Sequence, residues 1–312
     1  MSCGRIVEVA DDRRHLSLSR GFMQVHESGV DGRLLGQIPL DDIAALIAHA
    51  HGLTYTNNLL VALAERGAPF VLCGANHMPV GMLLSLDGHY LQGGRIDAQL
   101  QANLPLLKRL WAEIVKAKLQ QQACVLASIG QNDVVLLQLA RKVKAGDPDN
   151  LEAQGARKYW QMLFGPEFRR NQEGDGENAA LNYGYTVLRA CAARAVVAAG
   201  LHPSIGLHHS NDQNPMRLVD DLMEPFRPMI DLQVLLCQRQ GLLEQGLTPE
   251  LKRKLVNCLY HDMQTAQGVT PMMLCIQRLA TSLAQVFCAE RDKLELPLPG
   301  LALDLAASLE QG

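Results

Sequence analysis

The hydrophobic pattern changes character along the chain. Up to about residue 85, apolar residues fall in short runs broken by polar ones. RIVEVADD, HLSLSRGFMQVHE and GRLLGQIPL alternate, are β-branched in part, and predict strands, with Asp11-Asp12 and Asp31-Gly32 as turns between them. LDDIAALIAHAHG departs from this pattern. Ile43, Leu46, Ile47 and Ala50 share one face at helical spacing and Asp41 stands where a cap belongs, so a short helix is expected there. TNNLLVALAERG predicts a second helix with Gly67 as its stop. APFVLCG and MPVGMLLSL return to strand texture.

The stretch DGHYLQGGRID, residues 87–97, is rich in Gly and Asp and marks the expected domain boundary. After it the periodicity is helical. LPLLKRLWAEIVKAKLQQQACVLASIG is one long amphipathic run, DVVLLQLARKVKAG follows, and DPDN is a turn. EAQGARKYWQMLFG, AALNYGYTVLRACAARAVVAAG, RLVDDLMEPFRPMIDLQVLLCQRQG, PELKRKLVNCLYHDM and TPMMLCIQRLATSLAQVFCAERDKL each read as a further helix. The β-poor stretch from about 98 to 290 is therefore expected to be one helical domain, without internal repeats. The tail after Pro297, in LPLPGLALDLAASLEQG, reads either as frayed or as docked on a partner. The expected fold class is α+β: a β-sheet-rich domain over 1–87, a linker over 88–97, and an all-α domain over 98–312 with the tail.

Composition agrees with this picture. The chain has 312 residues, 48% hydrophobic and 20% charged, ample for a sizeable core and unlike a disordered, collagenous or disulfide-scaffold protein. With only 4% aromatic residues the core must be aliphatic and alanine-rich. The formal net charge of −3 argues, taken alone, against nucleic-acid binding. Its distribution argues otherwise: between Leu104 and Arg170 eleven Lys and Arg face six Asp and Glu. These cations suit a phosphate backbone, or else a solvated helix face. The eight cysteines make no C-x-x-C and no zinc spacing with histidine, so they read as buried free thiols in a reducing cytosol. The first residues lack an apolar signal core, and no apolar run reaches the roughly 20 residues of a membrane span. A cytoplasmic protein without a membrane partner is expected.

Three segments carry candidate chemistry. Glu152 opens the helix EAQGARKYW, capped by Asp149 or Asn150, where a carboxylate is electrostatically favoured whether or not it has a ligand. Gly155 within that helix costs about 1 kcal/mol relative to Ala and leaves room for a close neighbour. The loop GLHPSIGLHHSNDQNP carries His202, His208 and His209, as functional or as surface histidines. In RLVDDLMEPFRP, Asp220, Asp221 and Glu224 crowd one helix, Glu224 being a neighbour of each aspartate, a repulsion relieved by a metal ion, by Arg217 and Arg227, or by solvent. Glu, His and Asp or Glu together form an oxygen and nitrogen donor set that suits magnesium or manganese (Mg or Mn) better than structural zinc. Such a set can activate a hydroxyl and steady a phosphoryl transition state.

These motifs, taken in order, are familiar. LWAEIVKAKLQQQ at 110–122, EAQGARKYW at 152–160, LFGPEFRR at 163–170, NAALNYGY at 178–185, and GLHPSIGLHH followed by DDLMEPFRP resemble the CRISPR-associated adaptation integrase. This is the near-universal Cas nuclease that inserts new spacers into a CRISPR array. The resemblance covers essentially the whole chain, and its style is closest to the type II branch. It implies a divalent-metal-dependent DNA endonuclease and integrase, in which Glu152, His209 and Glu224 hold Mg or Mn. Asp221 and His208 would support that site, and Tyr159 would position DNA or pack its helix. Where the family often has Glu-Gly, this chain has Glu152-Ala153, which leaves the ligand intact. Arg157, Lys158, Arg169, Arg170, Asn182 and Arg189 are the implied DNA contacts. The resemblance further implies double-stranded DNA, both spacer precursor and repeat, as substrate. It implies a homodimer through the β-rich domain, two dimers bridged by a small companion Cas protein, and work beside an RNA-guided effector nuclease. The alternatives are a catalytically silent DNA-binding scaffold and a small-molecule metal hydrolase.

Overall fold

The computed structural model describes residues 4–29, 32–74, 79–171 and 174–310. Of the turn expected at Asp31-Gly32, Asp31 lies outside them. The strand-rich part runs β1 (Arg5–Val9), β2 (Arg14–Ser19), β3 (Phe22–Glu27), β4 (Leu34–Pro39), β5 (Ile43–Ala48), β6 (Thr54–Tyr55), α1 (Asn57–Glu65), β7 (Phe70–Cys73) and β8 (Pro79–Leu83). These strands form two four-stranded sheets. One has the order β4-β3-β2-β6, and the other β1-β5-β7-β8 with β1, β5 and β7 parallel and β8 antiparallel at the edge. The β2–β3 hairpin turns at Arg20 and Gly21, both with positive φ (48° and 82°), the geometry that matches the twist of its strands.

The expected helix over LDDIAALIAHAHG is absent. Only Leu40–Asp42 makes a short helical turn, and Ile43–Ala48 is β5. All six β5 residues are buried because the strand divides two cores. Ile43, Leu46 and Ala48 face the core between the sheets, while Ala44, Ala45 and Ile47 face the helices. A short apolar run buried on both faces carries no period of its own, so the helical spacing was coincidental. Asp41, expected as a cap, instead pairs with Arg66 at 2.8 Å.

The helical part runs α2 (Gln92–Gln101), α3 (Leu104–Ser128), α4 (Val134–Lys142), α5 (Leu151–Phe164), α6 (Glu177–Ala198), α7 (Arg217–Met223), α8 (Arg227–Arg239), α9 (Pro249–Asn257), β9 (Asp262–Thr265), β10 (Gly268–Pro271), α10 (Met272–Phe287) and α11 (Leu303–Glu310). The segment expected as a linker is helical from Gln92, and its Arg95 donates to the Ala199 carbonyl at the end of α6. The β9–β10 hairpin interrupts what was expected to be helix throughout. The run 217–240 is also two helices, because Pro225 and Pro228 lack the N–H groups a continuous helix needs. The tail docks on this chain itself: Leu298 N–H donates to Gln264 O, Gln121 donates to Leu298 O, and Ala302 and Leu305 are buried.

Alanine and glycine let the helices approach closely around buried α6. A Cβ on Gly184 would stand 2.5 Å from Ile230 Cγ2 of α8, and one on Gly155 would stand 2.3 Å from Leu119 Cδ2 of α3. The second contact sets α5 against α3. Gly155→Val is therefore expected to lower stability by about 1–3 kcal/mol in denaturant unfolding, despite its gain over glycine in backbone entropy. An unchanged midpoint would show that the close approach is not needed.

A candidate active site between four helical segments

Four segments converge on one cavity of about 220 Å³, lined by Lys118 and Gln122 of α3, Glu152 of α5, Glu224 after α7, and Arg227 and Asp231 of α8, among others. Each is placed by a local device. The start of α5 is held by Asp147, whose two carboxylate oxygens accept from Leu151 and Glu152 N–H at 2.9 Å each. The expected caps do not serve: Asn150 adopts a left-handed backbone (φ 50°) and its side chain makes no capping bond. Glu152 then faces α3, where Lys118 Nζ donates to it.

The crowded acids of RLVDDLMEPFRP are resolved by divergence. Asp220 takes the Arg189 guanidinium at 2.7 and 2.9 Å. Asp221 turns into the histidine loop. Glu224, beyond the last turn of α7, lies 2.5 Å from Lys118 Nζ and 2.9 Å from Arg227 Nε. Burial raises the Glu224 pKa, but Arg227 and Lys118 outweigh it and hold the carboxyl below its ordinary range. For Lys118 burial disfavours the charge, and Glu224 and Glu152 more than restore it.

Asp221 organises the loop that carries His208 and His209. Fully buried, it accepts from the N–H groups of Leu207 (2.7 Å), His208 (3.3 Å) and His209 (3.4 Å), and its carboxylate lies 2.6 Å from His209 Nδ1. Gly206 permits this approach, because a Cβ there would meet Asp221 Oδ2 at 2.9 Å. Gln99 of α2 fixes the base of the loop through His202 N–H and the carbonyls of His202 and Ile205. The His209 pKa is raised, first by the bond to Asp221 and further by Glu224 and Asp220 nearby. Engaging Nδ1 in this way leaves the other ring nitrogen to face a ligand. Trp111 of α3 packs under both rings: His208 stacks on it at 4.5 Å and 3°, and His209 meets it edge-on at 5.8 Å.

Other expected contacts take different places. Tyr159 is fully buried, out of reach of a DNA strand, so it packs its helix. Arg189 is spent on Asp220 and Asn214, pinning the histidine loop to α6. Arg170 turns into the cavity, where Asn178 and Asn182 accept its protons and the Tyr185 ring lies beneath it at 5.4 Å. Arg157, Lys158 and Arg169 are exposed.

Asp231 and Asp147 were not singled out in the sequence; Trp111, Lys118 and Gln122 entered only within the stretch 110–122, without a role of their own, and Arg227 only as a partner of the crowded acids. The local signal for Lys118 and Gln122 was a pair of polar residues one turn apart in an otherwise packed helix. As they stand, no three His, Cys, Asp or Glu side chains among the described residues are gathered closely enough to hold a metal ion. The Lys118 ammonium lies between the two glutamates. The donor chemistry nevertheless fits a hard divalent cation: two carboxylates, an oriented imidazole, and the buried Gln122 Oε1, which finds no hydrogen-bond partner among the described residues.

A profile of the family described as CRISPR associated protein Cas1 matches residues 7–257. The chain belongs to the Cas1 family. It is 37% identical over 287 residues to the CRISPR-associated endonuclease Cas1 of Neisseria meningitidis serogroup C (strain 8013), covering 91% of this chain and 92% of that one. A casposase bound to integration product superposes with a TM-score of 0.79 at 19% identity, covering 93% of this chain and 92% of that chain. A Cas6-RT-Cas1–Cas2 complex superposes with a TM-score of 0.76 at 18% identity, covering 96% of this chain and 37% of that chain. At these identities the structures share the mixed α+β fold.

In the wall of the cavity, Asp231 is buried and accepts the Tyr185 hydroxyl; burial pushes its pKa up to about 7. A folded-state pKa above the unfolded value of about 3.9 favours the folded protein at low pH, and the advantage is lost as pH rises through the folded value. Stability of the wild type relative to Asp231→Asn should fall between about pH 4 and 7, by up to about 1.4 kcal/mol per unit, and then level off. Urea midpoints of the two proteins across that range check this; parallel curves would refute it.

Proposed function

We propose that this chain is a divalent-metal-dependent DNA endonuclease and integrase that joins spacer DNA to a CRISPR repeat. The observation that carries this reading is the approach of Glu152 and Glu224 to one ammonium, with His209 oriented by Asp221 one turn before Glu224, within a chain of the Cas1 family. Glu152, His209 and Glu224 are the residues that would hold Mg or Mn, which when bound offsets charge developing on the attacked phosphodiester.

The chain's own residues supply the rest. Asp221 holds the His209 ring and loop in one orientation, and Trp111 fixes the plane of His208. Arg170 and Arg227 bring positive charge to the cavity, where a phosphate oxygen would enter. The 3′-hydroxyl of the incoming strand forms the new P–O bond and gives up its proton. The repeat strand's 3′-oxygen leaves in line and gains one. With water as nucleophile the same displacement is hydrolysis. Exposed Arg157, Lys158 and Arg169 would track the backbone outside the cavity.

The homodimer fits the β-rich part. Edge strand β8 and the segment after it expose Val80 (74%), Leu86 (90%) and Tyr90 (89%), apolar side chains that a second copy would cover. Two such dimers would engage a small companion Cas protein, supported by the fold shared with the Cas6-RT-Cas1–Cas2 complex. Cooperation with an RNA-guided effector of the type II branch, in the cytoplasm, completes the proposal. No described helix is long and apolar enough to cross a membrane.

Glu152→Gln, His209→Ala and Glu224→Gln should each reduce strand transfer on branched DNA in Mn by at least about a hundredfold, with DNA affinity by gel shift largely kept. Retained activity in Glu152→Gln would sink the assigned site, and a wild type that binds DNA without any strand transfer would favour the silent scaffold. Val80→Asp combined with Leu86→Asp should yield a monomer in sedimentation; an unchanged dimer would place the interface elsewhere.

A further inference from the structure

Most charged groups around the cavity pair one to one. At its centre a single ammonium serves two carboxylates. Lys118 and Gln122 stand one turn apart on the cavity side of α3. The Lys118 ammonium is buried, bonds to Glu152, and lies 2.5 Å from Glu224 Oε2. The Gln122 amide oxygen belongs to a residue only 2% exposed and finds no hydrogen-bond partner among the described residues. Three oxygen-bearing side chains from separate segments thus line one small space, and the cation among them is a side chain of the protein.

An ammonium and a divalent ion cannot both lie between the same two carboxylates, because their charges repel at contact distance in a poorly hydrated site. Removing the ammonium without a replacement is also unfavourable, since Glu152 and Glu224 would then face each other with only Arg227, on the far oxygen of Glu224, to offset their charge. The site therefore needs one cation or the other at all times. Lysine is suited to such an exchange: its charge is compact and its stem is flexible.

We propose that Lys118 is the resident counter-cation of this site. Its ammonium holds Glu152 and Glu224 together in the metal-free protein, and a divalent ion binds by displacing it. Lys118 is then a positioning residue that sets metal affinity. The inference rests on the reading of this cavity as a divalent-metal site and deepens it. Metal loading exchanges one set of ion pairs for another, so the protein without DNA is a weak metal binder. A phosphate oxygen arriving with DNA can accept the released ammonium, so metal and DNA favour each other's binding.

The test is an equilibrium titration of metal-free protein with Mn, without DNA, read by the electron paramagnetic resonance signal of the free ion. Wild type is compared with Lys118→Met, Lys118→Gln and the charge-keeping Lys118→Arg. Met and Gln should bind Mn about tenfold or more tightly than wild type, while Arg stays weak. In parallel, the Met and Gln variants should melt well below wild type in EDTA and recover in Mn. A loss of packing alone would lower melting equally in both. Mn binding by Lys118→Met and Lys118→Gln no tighter than wild type would overturn the proposal, as would variants that stay unfolded in Mn. If neither wild type nor these variants bind Mn, and Glu152→Gln changes nothing, the metal-site reading fails with it. Binding by wild type that Glu152→Gln abolishes but Lys118→Met does not tighten refutes the role of Lys118 alone.

Discussion

Moving an ammonium out of water costs several kcal/mol unless opposite charges meet it in good geometry. Lys118 is buried in the middle of α3, and its partners come from the first turn of α5 and from the residue after α7. That one requirement constrains much of the helical part. Helix α5 must lie against α3, which the missing side chain of Gly155 allows. The chain must also break after α7, so that Glu224 turns toward α3 while Arg227, three residues on, holds its other oxygen. Packing and electrostatics thus support the same arrangement: the glycine permits the approach, and the ion cluster rewards it.

A second buried charge works on a loop. Asp221 gathers three backbone N–H groups and an imidazole, so a segment rich in Gly, Pro and Asn is held in one conformation. Gly206 has the close contact a carboxylate needs, and Gln99 closes the loop from the other side. The precision of His209 is therefore borrowed from a helix one turn away from Glu224. The two halves of the candidate site share α7 as a common support, which couples their geometry.

Much of this was legible in the residues. The change from alternating to helical texture, the first-turn position of Glu152, the histidine loop and the crowded acids all lie in local sequence, and their order carried the family. What was misread had separate physical causes. Strand β5 is apolar on both sides because two cores meet there, and periodicity cannot report a second core. The β9–β10 hairpin is four residues a side, too short to interrupt a helical texture visibly. Asp147 rather than Asn150 holds the start of α5, because the backbone turns left-handed at Asn150. Of the two roles left open for Tyr159, burial favours packing, and Arg189 is held by Asp220.

The sequence by itself determined which groups are available: the carboxylates, the histidine pair, the α+β division and the family, since these depend on residue type and order along the chain. Tertiary structure decided which of those groups face each other. Asp220, Asp221 and Glu224 are near-neighbours on one segment, yet they serve an arginine, a loop backbone and a lysine respectively. Lys118 had no assigned role within the stretch 110–122, and it became central only when α5 and α7 were laid against α3. Coulomb interactions fall with distance through space and take no account of separation along the chain, so the folded structure alone could single out Lys118.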